Sequence, residues 1–144
     1  MELMVVMAII SLIVAVALPN TLAGLENLRL STAARSVAAF MNVAANRAER
    51  REQGVELIVS VRDNAIAMRT ADSPVPRTLS LPPGIVVRAV WPTLDEASDA
   101  PREFVIQPGS IPPRVGIELA NPRGARRIVR LDPITGVAQI EQPS

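Results

Sequence analysis

The sequence predicts an α+β protein in which one long N-terminal α-helix packs on a small antiparallel β-sandwich head, with the first half of the helix inserted in a membrane. Three observations support this fold class. Residues 3–18 are apolar except for Ser11, residues 21–53 repeat apolar side chains at helical spacing, and the residues after Gly54 form short β-type runs between turn residues. At 144 residues, the chain has room for one domain and one long appendage.

The apolar N-terminal segment is long enough to enter a bilayer but short for crossing one. The residues from Leu3 to Leu18 make about 24 Å of helix, against a hydrocarbon core of about 30 Å. The segment lacks the basic start and the small-residue cleavage site of a secretory signal peptide. We therefore predict a membrane-inserting segment over residues 1–20, continued by an amphipathic helix over residues 21–54.

The amphipathic segment has an apolar stripe and a charged opposite face. The stripe contains Leu22, Leu25, Leu28, Ala33, Val37, Phe40, Met41, Ala44 and Ala48. We expect it to pack on the sheet of the head, and a partner helix could cover the part nearest the membrane. Gly54 is the predicted C-terminal signal of the helix, and the arginines that precede it suit the negative end of the helix dipole.

Residues 55–144 are predicted to form a β-rich head. Its strands are expected at Val55–Val61, Ala65–Thr70, Arg77–Leu81, Ile85–Trp91, Glu103–Gln107, Val115–Leu119, Arg127–Asp132 and Val137–Glu141. Asp63-Asn64 and Asp132–Gly136 are predicted hairpin turns. Short strands with frequent turns favour two small antiparallel sheets packed on the helix. Trp91 and Phe104 are predicted to lie in the core or against the helix, because the head has few other aromatic residues.

The composition excludes most catalytic machinery. The chain has no His, Cys, Tyr or Lys, and its fifteen positive side chains are all Arg. Catalytic triads, Schiff-base lysines and thiolate or imidazole metal sites each require a missing residue type. Asp95, Glu96 and Asp99 share one loop and could hold Ca²⁺, but their spacing fits no known calcium loop, so a solvated loop is expected. We predict a protein that is not an enzyme and has no cofactor or metal.

Glu2 lies at the edge of the apolar run, where a carboxylate is costly to bury without a positive partner. One interpretation is a polar residue at the membrane surface. The string from Met1 to Ile10, Met-Glu-Leu-Met-Val-Val-Met-Ala-Ile-Ile, with Pro19 further along, resembles the start of type IV pilins and type II secretion pseudopilins. The resemblance implies that residues 1–20 form the core of a filament, and that Glu2 neutralises the N-terminal amine of a neighbouring subunit during filament assembly. It also implies that Pro19 lies at the helix kink of assembled filaments.

The sequence departs from this family at one place. In the family, a Gly precedes Phe-Thr-Leu-Ile-Glu and prepilin peptidase cleaves after it, whereas here Met1 directly precedes Glu2. We expect that about four further apolar residues upstream would supply the cleavage site and bring the span to about twenty residues. Prepilin peptidase is an expected partner if that leader is restored.

Residues 100–141 resemble the C-terminal half of the GspH/FimT domain, the H-type minor pseudopilin family. The resemblance rests on Phe104–Ser110, Val115–Leu119 and Arg127–Ile140. It implies a long helix under a two-sheet sandwich. The implied function is that of a non-enzymatic minor pseudopilin, which joins or caps a periplasmic pseudopilus for type II secretion. The implied partners are other pseudopilins or pilins, bound through the N-terminal helix. Before assembly, the chain would cross the bacterial inner membrane once, with its head in the periplasm.

A cluster of arginines near Gly124 suggests an alternative function. Strand alternation would place Arg126 and Arg130 on one face and Arg127 on the other. Together with Arg123, this segment loosely resembles the C-terminal loop with which FimT-like minor pilins capture DNA. The alternative is therefore a type IV minor pilin for pilus priming or DNA uptake, with arginines on phosphates. The chain has one Trp, no Tyr and a net charge of +1, which offer little base stacking and favour a solvated turn.

Overall fold

The computed structural model describes residues 1–93 and 100–143. Helix α1 (Glu2–Arg51) is followed by eight strands, which are β1 (Val55–Ser60), β2 (Ala65–Thr70), β3 (Ser73–Leu79), β4 (Val86–Trp91), β5 (Arg102–Ile106), β6 (Gly116–Ala120), β7 (Arg126–Leu131) and β8 (Ala138–Glu141). The strands form two four-stranded antiparallel sheets, in the orders β3-β2-β1-β5 and β4-β6-β7-β8. The predicted α+β fold class, one long helix on two small sheets, is confirmed.

Helix α1 runs unbroken for 50 residues and ends earlier than the sequence predicted. Its last residue is Arg51, and Glu52 adopts the left-handed conformation at φ 50°. The N–H of Gln53 then donates to the carbonyl oxygen of Ala48 at 3.3 Å. The prediction of Gly54 as the C-terminal signal is wrong, because Glu52 makes the left-handed turn and Gly54 has no positive φ.

One core joins the helix and both sheets. The buried face of α1 packs with the inward side chains of β1 and β2 from the first sheet and of β6 and β7 from the second. The helical part of this core consists of Leu30, Ala33, Ala34, Val37, Ala38, Phe40, Met41, Ala44 and Ala48. The stripe predicted from Ala33 onward therefore packs on the head, whereas Leu22, Leu25 and Leu28 stay exposed and Leu30 is buried instead.

The chain passes between the two sheets more than once, and Asn64 joins them. This residue occupies the predicted β1–β2 turn in the left-handed conformation, at φ 52°. Its Nδ2 donates to the carbonyl oxygen of Ile85 at 3.0 Å, and its Oδ1 accepts from the N–H of Val87 at 2.7 Å. The hairpin of the first sheet is thus hydrogen-bonded to β4 of the second sheet.

Two further predictions need correction. Strand β3 spans Ser73–Leu79 rather than the predicted Arg77–Leu81, because an edge strand tolerates proline. Trp91 is 40% exposed and does not lie in the core. Its side chain covers Gly116, where an added Cβ would lie 3.1 Å from the Trp91 Cβ. Phe104, in contrast, is partly buried against the core, as predicted.

Candidate functional site

The first half of α1 has no packing partner within the chain. Every residue from Met1 to Leu22 is exposed, and the helix first becomes buried at Leu30. A window within this helix has a mean hydropathy of 2.5, and none of it is buried. The helix is therefore long and apolar enough to cross a membrane. We call residues 3–25, which carry no charged side chain, the exposed helical segment.

The hydroxyl groups of the exposed helical segment are satisfied within the helix. Ser11 donates its Oγ proton to the carbonyl oxygen of Met7 at 2.8 Å, and Thr21 donates to that of Ala17 at 2.9 Å. Bonds of this kind remove the cost of placing a hydroxyl in an apolar medium. The segment therefore presents almost no unsatisfied side-chain donor except the amide of Asn20.

Glu2 directly precedes the exposed helical segment, and Pro19 lies within it. Glu2 lies in the first turn of α1, where a carboxylate complements the helix dipole. Within residues 1–93 and 100–143, no ion pair joins Glu2 to a cation. The helix continues through Pro19, which cannot donate to the carbonyl oxygen of Ala15. The roles in filament assembly that the resemblance implies for both residues remain predictions.

The β6–β7 turn docks on the helix just above the exposed helical segment. Buried Asn121 accepts from the N–H groups of Arg123 at 3.1 Å and Ala125 at 2.9 Å through its Oδ1, while its Nδ2 donates to Asn27 Oδ1 at 3.3 Å. Beside it, Arg123 Nε donates to Glu26 Oε2 at 2.5 Å. Gly124 supplies the left-handed residue of the turn, at φ 86°.

Two more polar contacts hold the head on the upper part of the helix. The N–H of Ala138, at the start of β8, donates to Asn42 Oδ1 at 2.9 Å. The N–H of Gly109 donates to Glu49 Oε1 at 3.1 Å. Head and helix are therefore fixed to each other from Glu26 to Glu49, and only the part of the helix before Glu26 projects freely.

The arginine cluster is distributed over two faces of β7, as strand alternation predicted. Arg126 and Arg130 lie on the outer face, while Arg127 shares its side with buried Val129 and Leu131. Arg126 Nη1 lies 3.2 Å from Oε1 of Glu118, whose side chain is only 7% exposed.

The other two arginines of β7 are also engaged. Arg130 lies 3.8 Å from Glu141, and both side chains of that pair are about half exposed. Arg127 Nη1 donates to the carbonyl oxygen of Arg126 at 2.9 Å. With the Arg123–Glu26 pair, three of the four arginines contact a carboxylate. The cluster is therefore much closer to neutral than the sequence indicates.

The head also has an apolar cavity beside Trp91, and no metal centre is assembled among its described residues. The cavity is about 370 Å³ and is lined by Trp91, Arg114, Gly116, Arg130 and Pro133 among others. No group of three acidic, His or Cys side chains that could hold a metal occurs in the described part of the chain. The loop carboxylates considered for calcium, Asp95, Glu96 and Asp99, lie outside the described residues.

Sequence reasoning missed the residues that dock the head. Asn27 and Asn121, which join the helix to the head, were not singled out, because little in the sequence distinguishes them from other polar surface residues. Glu118, the partner of Arg126 within the head, was missed for the same reason. One signal existed at Asn121-Pro122, because an Asn-Pro pair favours the start of a turn.

No protein-family model, curated protein or solved structure matches this chain.

Proposed function

We propose that this protein is a membrane-anchored, non-enzymatic filament subunit, namely a minor pseudopilin that joins or caps a periplasmic pseudopilus in type II secretion. The observation that carries the proposal is the exposed helical segment. It has large apolar side chains on all sides, is preceded by the single carboxylate of Glu2 and continues directly into a helix that the head buries. A helix that is apolar all round requires lipid or other helices around it.

The same segment would serve in both environments. Before assembly, lipid would surround residues 3–25, and after assembly the helices of neighbouring subunits would replace the lipid. Both surroundings are apolar, so the exchange needs little desolvation of the side chains. The exception is Glu2, which in a filament requires a cation, and the terminal amine of a neighbouring subunit is the cation that the resemblance of residues 1–20 to pilins implies.

Disulfide crosslinking would test the filament assignment, because the chain has no Cys of its own. Leu12→Cys introduces one thiol on the exposed helical segment, where Leu12 is 67% exposed. The full chain would be expressed with the other pilin-like subunits of its genome, each carrying one Cys at the corresponding helical position. We expect oxidised heterodimers whose partner is one of these subunits.

Two matched variants make the test specific. Thr78→Cys places the thiol on an edge strand of the head and should give far fewer adducts. Adding Glu2→Gln to Leu12→Cys should reduce the adducts while leaving the protein in the membrane fraction. If Leu12→Cys and Thr78→Cys crosslink equally, or if Glu2→Gln has no effect, the filament role of the helix is refuted.

The alternative function, a FimT-like minor pilin that contacts DNA, is favoured by one observation. The β6–β7 hairpin brings Arg123, Arg126 and Arg127 into one turn and the start of one strand. Arg126→Ala is unsuitable as a test, since it would leave buried Glu118 without its cation.

A better DNA test is the pair Arg123→Gln and Arg127→Gln, compared with the double change Arg126→Gln and Glu118→Gln. If the alternative is correct, the first pair weakens duplex binding and flattens its salt dependence. The second pair removes one positive and one negative charge and controls for changes in packing. The absence of duplex binding at low salt would eliminate the alternative.

A further inference from the structure

The uncharged surface of the helix extends beyond Pro19 to Leu25. The part of the helix that can lie in lipid is therefore longer than the predicted residues 1–20. Leu22 and Leu25 are 52% and 42% exposed, and Glu26 is the first charged residue after Glu2. The residues from Leu3 to Leu25 make about 34 Å of helix, which matches a hydrocarbon core of about 30 Å. Residues 3–25 are therefore long enough to span the hydrocarbon core when residues 19–25 also lie in the lipid.

The end of the head nearest the N-terminus of the helix lies directly after Leu25, where the uncharged span ends. The β6–β7 turn meets the helix at Glu26 and Asn27. A second turn, Pro82–Ile85, closes beside it with a hydrogen bond from the N–H of Ile85 to the carbonyl oxygen of Pro82 at 3.2 Å. The two turns touch, since a Cβ added at Gly84 would lie 3.5 Å from Pro122 Cγ. Together they form one surface beside the helix at Glu26 and Arg29.

This surface is rich in arginine. Arg29 is exposed on the helix and lines a small cleft with Pro83 and Pro122. Arg123, Arg126 and Arg127 belong to the adjacent hairpin. The nearest acidic partners are Glu26, which is partly buried against Arg123, and Glu118, which is buried behind Arg126. The guanidinium groups of Arg123 and Arg126 are therefore more exposed than the carboxylates that pair with them, and Arg29 forms no ion pair among the described residues. Guanidinium groups bind phosphate oxygens in bidentate geometry and attract anionic lipid surfaces.

We propose that this surface, the membrane-proximal face formed by Arg29, Pro83, Gly84, Pro122 and Arg123, rests on the phospholipid headgroup layer. Arg29 and Arg123 contact lipid phosphates. The inference rests on the proposed membrane anchoring and adds a second contact to it. Lipid is the occupant because the face is continuous with the uncharged span. Arg29 follows Leu25 by about 6 Å of helix, which is within the thickness of a headgroup layer.

Fluorescence quenching by lipid would test this contact in the full chain reconstituted in vesicles. Pro122→Cys labels the membrane-proximal face, Leu12→Cys labels the span, and Ala71→Cys labels the far end of the head. Ala71 adjoins Asp72, which pairs with Arg51 at the end of the helix at 3.5 Å. The vesicles contain phosphatidylcholine alone or mixed with phosphatidylglycerol, with a quencher fixed at the headgroup or in the acyl chain.

We expect the headgroup quencher to act on Pro122→Cys and not on Ala71→Cys, with a larger effect in the anionic vesicles. The ratio of lipid-bound heads, in which the Pro122→Cys label is quenched, to unbound heads can be obtained from the quenching. Arg29→Gln and Arg123→Gln should each lower this ratio by about fivefold in anionic vesicles. High salt should reduce the quenching of the labelled Pro122→Cys variant that keeps both arginines, which separates charge attraction from any loss of folding in the Gln variants.

Other results would overturn the proposal. Equal quenching at Pro122→Cys and Ala71→Cys, with Leu12→Cys quenched by the acyl-chain probe, would show an anchored protein whose head does not rest on the lipid. Duplex DNA binding that depends on Arg123, without headgroup quenching at Pro122→Cys, would assign the face to nucleic acid. Failure to quench Leu12→Cys would instead refute the membrane anchoring on which the proposed function depends.

Discussion

The two halves of α1 belong to one unbroken helix, yet they have opposite surroundings. From Met1 to Leu22 every residue is exposed, whereas nine of the residues between Leu30 and Ala48 are buried against the head. The lower half, from Met1 to Leu22, carries large apolar side chains on every side; the part from Leu30 to Ala48 is the upper half. The upper half has one apolar stripe, and five of its nine buried residues are Ala. Small side chains allow two sheets to approach the helix closely, whereas large ones on all sides leave no polar face for water.

The difference shows that the two halves use the same secondary structure for different purposes. The upper half is part of the core, and burial of its apolar side chains contributes to the free energy of folding of the head. The lower half adds nothing to that core, so its apolar surface must be covered by something outside the chain. Changes that affect one half and not the other therefore test the division directly.

The largest expected effect on stability is at the first buried residue of the upper half. Leu30→Ala removes a fully buried side chain and should lower the free energy of unfolding of the head by about 2–5 kcal/mol. Trp91, the only Trp, lies in the head and reports its unfolding by fluorescence in urea, with the full chain in detergent.

Leu28→Ala is the matched control for this change. Leu28 is two residues away on the same helix but 62% exposed, so its truncation should shift the free energy of unfolding by about 0.5 kcal/mol or less. Equal destabilisation by both variants would mean that the head also packs on the side of the helix that carries Leu28.

The converse change belongs to the lower half. Val14→Arg puts a charge in the middle of the exposed helical segment, at a cost of about 2.5–3.5 kcal/mol for membrane insertion. The altered protein should move from the membrane fraction to the soluble or aggregated fraction, while the urea midpoint of the head stays unchanged in detergent. Retention of the variant in the membrane would argue against a span centred near Val14.

Most of the fold was predictable because its signals are local. Strand β2 was predicted with its exact bounds, and β1, β4, β5, β6, β7 and β8 within one residue at each end. Alternating apolar residues and turn residues specify strands within a few neighbours. The order of strands in each sheet was not predicted, because it depends on contacts between distant residues such as Asn64 and Ile85. The exposure of Trp91 was missed for the same reason, since Gly116 lies on another strand.

A third change tests the junction between the two halves. Asn121→Ala removes the acceptor of two turn N–H groups and the donor to Asn27, so the head should lose about 1–3 kcal/mol of stability. Asn121→Asp keeps the acceptor oxygens and should lose less. Exposed Asn20 offers the control, since Asn20→Ala should leave the urea midpoint unchanged.

The candidate site was predictable in part. The apolar run and Glu2 are visible as a contiguous pattern, and so is the cluster from Arg123 to Arg130. The pairing of that cluster is not visible, because Glu26 lies 97 residues before Arg123 and only the tertiary fold brings them together. A local count of charges therefore overstates the positive potential of the turn.

The smallest expected effect is a response to acid that arises in the head. The N–H of Ile134 donates to Asp132 Oδ1 at 2.8 Å in the β7–β8 turn, and this bond holds the pKa of Asp132 below its usual value. A carboxyl group whose pKa is lower in the folded state stabilises the fold above its unfolded pKa of about 3.9, and the contribution is lost as the pH falls through the folded pKa. The urea midpoint should therefore fall slightly below about pH 4. Asp132→Asn retains an acceptor oxygen but does not titrate, so its midpoint should fall less with acid; identical profiles for the two proteins would exclude Asp132 as the source.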